Sequence, residues 1–173
     1  MAKRNEQERL FALSERDRVF WTQEGVVLAG MDEVGRGPLA GPVVVACAIM
    51  PPEPLLEYVN DSKKVSENRR EALYDRILST CVEVQTAWVD QTVIDELNIL
   101  EATRLAFNTA FAKMHTPITD VMIDALTGLS IPARQHILIH GDALSYSIAA
   151  ASIVAKVERD RFMREQEIGR AHV

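Results

Sequence analysis

The sequence has few of the features that mark secreted, membrane-spanning or disulfide-stabilised proteins. Its 173 residues include only two cysteines, Cys47 and Cys81, at no spacing typical of a metal or redox site, which indicates free thiols in a reducing compartment. No apolar run is long enough to span a bilayer, and the charged N-terminus lacks the apolar core of a signal peptide. We therefore expect a cytoplasmic protein with no membrane partner.

The sequence also has no excess of positive charge, since its formal net charge is −6. That balance argues weakly against a nucleic-acid partner, but the placement of charge matters more than its sum. Basic residues cluster at 61–76 and 156–164, where they form either solvated helix faces or contacts with phosphate. With 47% hydrophobic and 25% charged residues, and no repeat or interdomain linker, the chain is typical of one globular domain.

Apolar periodicity and turn residues predict alternating helices and strands. Strands are predicted at residues 26–32, 43–50, 81–89, 120–126 and 135–142. Helices are predicted at residues 4–19, 66–80, 96–114 and 143–165. This order indicates a single α/β or α+β domain.

Carboxylates follow three of the predicted strands at the point where each strand ends. Asp32 and Glu33 end the first strand, Asp124 ends VMID, and Asp142 ends ILIHGD. Neighbouring strands lie about 5 Å apart, so acids at adjacent strand ends come within reach of one cation. Because like charges that close repel unless a cation neutralises them, the pattern indicates a site for Mg²⁺ or Mn²⁺. Two such ions about 4 Å apart can promote phosphodiester hydrolysis.

Structural roles for these acids stay open at this point. Asp142 precedes a helix and is also a good N-cap, and Asp124 is equally suited to accept backbone N–H bonds in a turn. Glu33 alternates with Asp32 along the strand and faces the other side unless the backbone bends. The glycines from Gly35 onward resemble the glycine-rich motif that binds dinucleotides. That motif needs a helix directly after the glycines, whereas a proline and a strand follow them here. The histidines of HILIH have no third ligand nearby for zinc.

Five motifs together resemble bacterial ribonuclease HII. DEVGRGPLAGPV, NDSKK, IDELNILEATRLAF, MIDAL and GDALSYSIAAASIVAKVERDRFM occur in the order and spacing of that family, from about Val26 to about Met163. The resemblance implies a ribonuclease H-like α/β fold, with a five-stranded mixed sheet flanked by helices. It implies an endonuclease that cleaves the RNA strand of RNA–DNA hybrids. Such an enzyme also nicks DNA duplexes 5′ to an embedded ribonucleotide and leaves 5′-phosphates.

The resemblance also implies which residues act, and that the enzyme is a monomer. Asp32, Glu33 and Asp124 resemble the ligands of Mn²⁺ or Mg²⁺, and Asp142 the fourth active-site acid. The residues that resemble substrate contacts are Gly35, Arg36, Gly37, Lys63 and Lys64. The glycine turn would present its backbone to the ribose 2′-hydroxyl, which distinguishes RNA from DNA. The two lysines would add salt-dependent affinity for phosphate rather than sequence reading.

Two departures from the family pattern bear on this expectation. His140 stands where the family usually has lysine, which weakens phosphate attraction near Asp142 at neutral pH. Family members continue beyond RDRFM with helical sequence that carries a ribose-packing tyrosine, whereas the last residues here, EIGRAHV, match a translated sequencing adapter. We therefore expect a single catalytic domain over residues 1–167 that lacks its C-terminal helical part, and a non-native tail over 168–173.

Three other functions are weighed against this one. Ribonuclease HIII lacks the Gly-Arg-Gly triplet, and other nucleases or integrases of the fold share the acids but neither GRGPLAGP nor SIAAASIVAKVERD. The remaining alternative is a truncated fragment, weakly active or inactive, that only binds hybrids.

Overall fold

A five-stranded mixed sheet lies at the centre of the protein, whose computed structural model describes residues 2–37 and 41–171. The strands are β1 (Leu28–Val34), β2 (Val43–Ile49), β3 (Glu83–Val89), β4 (Asp120–Asp124) and β5 (Arg134–Leu138). Their order is β3-β2-β1-β4-β5. β2 is antiparallel to both β1 and β3, whereas β1, β4 and β5 run parallel to one another. The five predicted strands and their mixed sheet are confirmed, but the strand predicted over 135–142 ends at Leu138, so Asp142 lies in the following 3-10 turn rather than at the strand end.

The described residues also form six α-helices, which cover both faces of the sheet. They are α1 (Ala2–Leu13), α2 (Glu15–Trp21), α3 (Glu67–Thr80), α4 (Gln91–Leu97), α5 (Ile99–Ala112) and α6 (Tyr146–Ala171). α6 packs across β1 and β2 on one face, and α5 packs across β2 and β3 on the other. Two short 3-10 turns, Ser62–Lys64 and Gly141–Ala143, lie in the connections beside α6.

Two of the predicted helices are each divided in the structure. The expected helix over 96–114 begins instead as α4 and restarts as α5 after Asn98, whose backbone has a φ of +73°. The Asn98 side chain accepts hydrogen bonds from the N–H groups of Leu100 and Glu101 and so caps α5. The helix expected over 4–19 is likewise α1 and α2, with Ser14 between them.

α6 lies unusually close to β1, because Gly30 has no side chain at the crossing point. A β-carbon added at Gly30 would lie 2.5 Å from the backbone nitrogen of Ile148. The alanines of SIAAASIVA are buried on this face together with Tyr146 and Ile153. The close approach brings the polar side chains of α6 next to the part of β1 that carries Asp32.

α6 extends beyond the predicted helix and continues to Ala171. It therefore includes residues 168–171 of the expected non-native tail, while 172–173 lie outside the described residues, as do residues 38–40 of the glycine-rich turn. Within the part of the chain that the structure describes, no helix is long and apolar enough to cross a membrane.

Candidate active site

The parallel strands bring the predicted acids to one edge of the sheet. Met31 on β1 is paired with Ile123 on β4, so the next residues, Asp32 and Asp124, stand at the same level. β4 is paired in parallel with β5, and the 3-10 turn that follows β5 carries Asp142. The register of β1 with β4, together with the 3-10 turn after β5, therefore brings the three acids to a common position.

Oxygen atoms of three carboxylates converge at this edge. One oxygen each from Asp32, Asp124 and Asp142 lies within 4.8 Å of the others. Asp32 and Asp142 are buried, with 5% and 8% of their surface exposed. Oxygen ligands of one divalent ion lie about 2.0–2.6 Å from it, so this spacing suits a single Mg²⁺, Mn²⁺ or Ca²⁺ ion.

Glu33 lies beside this cluster rather than within it. The pairing of β1 with β2 continues without a bulge, Asp32 opposite Ala46 and Glu33 opposite Val45, so the two acids leave opposite faces of the strand. Glu33 nevertheless lines the same cavity as the three aspartates. Its Oε1 pairs with Arg36 at 3.3 Å, while its Oε2 is buried with no hydrogen-bond partner among the described residues. A buried carboxylate oxygen without a donor suits a cation.

Burial and mutual repulsion both act on the acids of β1. Burial raises the pKa of Asp32 well above its usual range, and the charges of Glu33 and Asp124 raise it further. The pKa of Glu33 is also raised by burial, and Arg36 opposes that rise. Such a cluster of carboxylates is electrostatically unfavourable when ionised and becomes favourable when it binds a cation.

Asp142 has a second acidic neighbour in the NDSKK segment. Burial, then the charge of Asp61 and its hydrogen bond, and then the charge of Asp124 raise the pKa of Asp142 to about 6, while Lys63 opposes the rise. Asp61 itself caps the 3-10 turn by accepting a hydrogen bond of 2.9 Å from the Lys63 N–H. The segment that resembles a substrate contact is therefore joined to the carboxylate cluster through Asp142.

Backbone hydrogen bonds fix the acids in place. The N–H of Gly141 donates to Asp124 at 2.7 Å, and the N–H of Glu33 donates to Asp32 at 2.8 Å. His140, just before Gly141, has a φ of +56° and is exposed, so the backbone reverses there and returns toward β4. His140 does not line the cavity, although it is adjacent in sequence to residues that do.

The acids lie in a cavity of about 350 Å³. Besides the four acids, its lining includes Gly35, Arg36, Gly37, Lys63, Ser62, Val34 and three residues of α6. Four of the five predicted substrate contacts thus face the acids. The fifth, Lys64, is exposed on the same 3-10 turn but does not line the cavity.

Gly35 and Gly37 differ in their surroundings. Gly35 has a φ of +107°, and a β-carbon there would lie 2.7 Å from the Arg159 Nε and closer still to the Pro42 carbonyl oxygen. A β-carbon at Gly37 would meet no atom of residues 2–37 or 41–171 within 4 Å. Gly35 is therefore required by the fold of the turn, whereas the space at Gly37 is open toward the cavity.

Sequence reasoning missed the contribution of α6 to this cavity. Ser152, Lys156 and Arg159 all line it, although none of them was among the predicted site residues. The available signal was the four-residue spacing of Ser152, Lys156 and Asp160, which places these polar side chains on one face of the helix.

Comparison with known proteins gives a consistent result. The family model for ribonuclease HII matches residues 29–170. The chain is 49% identical over 142 residues to ribonuclease HII from Acetivibrio thermocellus, covering 82% of this chain and 55% of the relative. It is 44% identical over 167 residues to ribonuclease HII from Enterococcus faecalis, covering 96% of this chain and 65% of the relative. The chain thus spans less than two thirds of the length of these curated relatives.

Solved structures show the same fold. Ribonuclease H2 from Pyrococcus horikoshii OT3 superposes with a TM-score of 0.73 at 26% identity, covering 81% of this chain and 75% of that one. Bst-RNase HIII in complex with Mn²⁺ superposes with a TM-score of 0.70 at 21% identity, covering 91% and 56%. The ribonuclease H-like fold expected from the motifs is confirmed. By its sequence match and its fold, the chain belongs to the ribonuclease HII family.

Proposed function

We propose that this chain carries the catalytic centre of a metal-dependent endoribonuclease that hydrolyses the RNA strand of RNA–DNA hybrids. We extend the proposal to nicking of DNA duplexes 5′ to an embedded ribonucleotide, with release of a 5′-phosphate end. The observation that carries it is the convergence of Asp32, Asp124 and Asp142 within 4.8 Å, in a chain of the ribonuclease HII family.

The residues that would hold the cations are the acids of the cavity. We assign Asp32, Glu33 and Asp124 as metal ligands and Asp142 as the fourth active-site acid, whose oxygen lies in the same cluster. Mn²⁺ or Mg²⁺ bound there, as a pair, would activate water and stabilise the leaving oxygen of a phosphodiester. Hard oxygen donors favour these ions over softer metals.

The glycine turn and the NDSKK segment would orient the substrate. The open space at Gly37 allows the backbone of a nucleic acid to approach the turn, where peptide groups can hydrogen-bond a ribose 2′-hydroxyl. Arg36 is paired with Glu33, so its guanidinium stabilises the acid rather than reading the sugar. Lys63 and Lys64 would contact backbone phosphates and contribute affinity without sequence preference.

The decisive experiment measures cleavage of a duplex that contains a single ribonucleotide, and of an RNA–DNA hybrid, by the full 173-residue chain. Mn²⁺, Mg²⁺ and a chelator are compared, with the Acetivibrio thermocellus ribonuclease HII as positive control. We expect cleavage with either metal, none with chelator, and none of an all-DNA duplex. Metal-independent cleavage, or equal cleavage of all-DNA duplex, would contradict the proposal.

The alternative function is binding of hybrids without cleavage. It is raised by the shorter length of this chain relative to its curated relatives. Under this alternative the chain retains hybrid affinity in a gel-shift or anisotropy measurement but shows no metal-dependent product when the control enzyme does. The same samples therefore distinguish the two functions.

A further inference from the structure

One face of α6 carries polar side chains from the carboxylate cavity to the surface. Ser152 and Lys156 line the cavity, and Asp160 follows one turn later on the same face. The hydroxyl of Ser152 donates to the hydroxyl of Ser62 at 2.9 Å, which joins α6 to the 3-10 turn of Ser62–Lys64. This face therefore contacts both the acids and the turn that carries Lys63.

Lys156 pairs with Asp160 and with none of the clustered acids in the part of the chain that the structure describes. Its Nζ lies 2.7 Å from Asp160 Oδ1, and the two side chains are only 28% and 23% exposed. A lysine beside several carboxylates is attracted to them, so the ion pair with Asp160 competes with that attraction. An ammonium group has three donors, and the Asp160 pair uses one of them.

Asp160 also contacts the opposite side of the site through Arg70. The Arg70 Nη2 lies 3.5 Å from Asp160 Oδ2. Its Nη1 donates to the carbonyl oxygens of Ser62 at 3.1 Å and Val65 at 2.5 Å, at the two ends of the 3-10 turn. The planar guanidinium thus fixes the turn, and with it the backbone from which Lys63 extends into the cavity lining.

We propose that Asp160 is a positioning residue for two substrate-facing cations. It holds Lys156 away from the metal-binding carboxylates and, through Arg70, fixes the turn of Lys63, so that both ammonium groups are directed to backbone phosphates beside the scissile bond. The proposal rests on the proposed function for its substrate. It also makes a claim about cation binding that does not require cleavage.

The test compares Asp160→Asn with Asp160→Glu and with Glu158→Gln on the same helix. Glu158 is the matched control, because it accepts a hydrogen bond from the Tyr74 hydroxyl at 3.2 Å and does not line the cavity. Asp160→Glu keeps a carboxylate four residues from Lys156 and should restore most of the effect. Urea unfolding of each variant separates a loss of stability from a loss of positioning.

The first readout is Mn²⁺ affinity, measured by electron paramagnetic resonance in the absence of nucleic acid. Without the Asp160 charge, Lys156 is free to pair with the clustered acids, so Asp160→Asn should weaken Mn²⁺ binding by about three- to tenfold. Adding Lys156→Ala to Asp160→Asn removes the competing ammonium and should restore the affinity. Unchanged Mn²⁺ affinity in Asp160→Asn, or no recovery in the double variant, would overturn the proposal.

The second readout is hybrid binding in chelator, by fluorescence anisotropy at several salt concentrations. Asp160→Asn should weaken binding by about fivefold and flatten the salt dependence, because misplaced lysines no longer contact phosphate. For a cleaving enzyme, KM should rise with little change in kcat.

A wild-type chain that binds Mn²⁺ and hybrid but cleaves nothing would contradict the proposed function alone. A wild-type chain that binds neither would contradict both.

Discussion

The backbone N–H of Gly141 donates a hydrogen bond of 2.7 Å to the carboxylate of Asp124. This contact joins the end of β4 to the 3-10 turn that carries Asp142, so an acid at a strand end and an acid in a turn are linked by one interaction. The positions of Asp124 and Asp142 should therefore depend on each other.

Asp124→Asn should remove cleavage while preserving the fold and hybrid binding. The amide keeps the shape of the side chain and an oxygen that accepts from Gly141, but it removes the negative charge needed by a cation. We expect a loss of at least about 100-fold in the single-turnover cleavage rate, with hybrid affinity changed by less than about threefold. Near wild-type turnover in a correctly folded variant would show that Asp124 is only a turn residue.

Substitutions in the glycine turn should separate stability from substrate recognition. Gly35→Ala introduces a β-carbon 2.7 Å from Arg159 Nε at a φ of +107°, so we expect a loss of about 1–3 kcal/mol in the free energy of unfolding. At Gly37 an added β-carbon would meet no atom of the described residues within 4 Å, so we expect Gly37→Val to change stability less than Gly35→Ala while it fills the space where the sugar would approach.

The corresponding measurement is kcat/KM on the single-ribonucleotide duplex, with urea unfolding of the same samples. Gly37→Val should be more harmful than Arg36→Ala, since the backbone of the turn rather than the guanidinium is expected to contact the sugar. Full activity of Gly37→Val would show that the turn is only a connection between β1 and β2.

Asp120 should make the protein less stable in acid. Hydrogen bonds from Arg134, chiefly, and from His136 hold the pKa of this buried carboxyl well below its usual range. The unfolded chain has a pKa of about 3.9 for aspartate and therefore binds more protons in acid than the folded chain does. The stabilisation is present above about pH 4 and is lost as the pH falls toward the folded-state pKa.

Asp120→Asn tests this dependence, in urea unfolding at several pH values between neutral and acid. We expect a loss of about 2 kcal/mol at neutral pH and a smaller difference from the wild type in acid. Asp95→Asn, on the exposed part of α4, is the matched control and should leave the pH profile unchanged. A constant difference at every pH would contradict an ionised Asp120 as the source.

Asp17 on α2 should stabilise the start of α6. Its buried carboxylate accepts hydrogen bonds from the Ser145 hydroxyl at 3.1 Å and from the N–H groups of Tyr146 at 3.0 Å and Ser147 at 2.9 Å. Asp17→Asn leaves one oxygen for these donors, so we expect a loss of about 2–3 kcal/mol in the free energy of unfolding. The neighbouring exposed Glu15→Gln should change it by less than about 0.5 kcal/mol. Equal stability of the two variants would exclude a capping role.

The sheet and the convergence of its acids could be predicted because they depend on local signals. Short apolar runs that end in acids indicate buried strands, and parallel strands place their ends at one edge. The division at Asn98 could not be predicted in this way, because the apolar periodicity continues from α4 into α5. The positive φ of Asn98, stabilised by hydrogen bonds to its own side chain, interrupts the helix without interrupting the apolar periodicity of the sequence.

Residues whose contacts lie far away in the sequence were harder to identify. Asp17 lies in a highly charged segment, where nothing in the sequence distinguishes it from its exposed neighbours. It is buried because α2 packs against the start of α6. Asp160 forms ion pairs with Lys156 and Arg70. Its position between two parts of the site depends on Arg70, which lies ninety residues away in sequence. Sequence periodicity does not predict a contact between residues that far apart.

The parallel pairing of β1 with β4 has a consequence for protein synthesis. Leu28 is paired with Asp120, so β1 leaves the ribosome long before its partner exists. The acids of β1 cannot share a cation with Asp124 until β2, β3 and α5 have also emerged, and the helix that packs on Gly30 follows later still. The three clustered carboxylates of a nascent chain therefore cannot converge until Asp142 has also been translated. Late pairing of an early strand thus makes the carboxylate cluster one of the last features of the sheet to assemble.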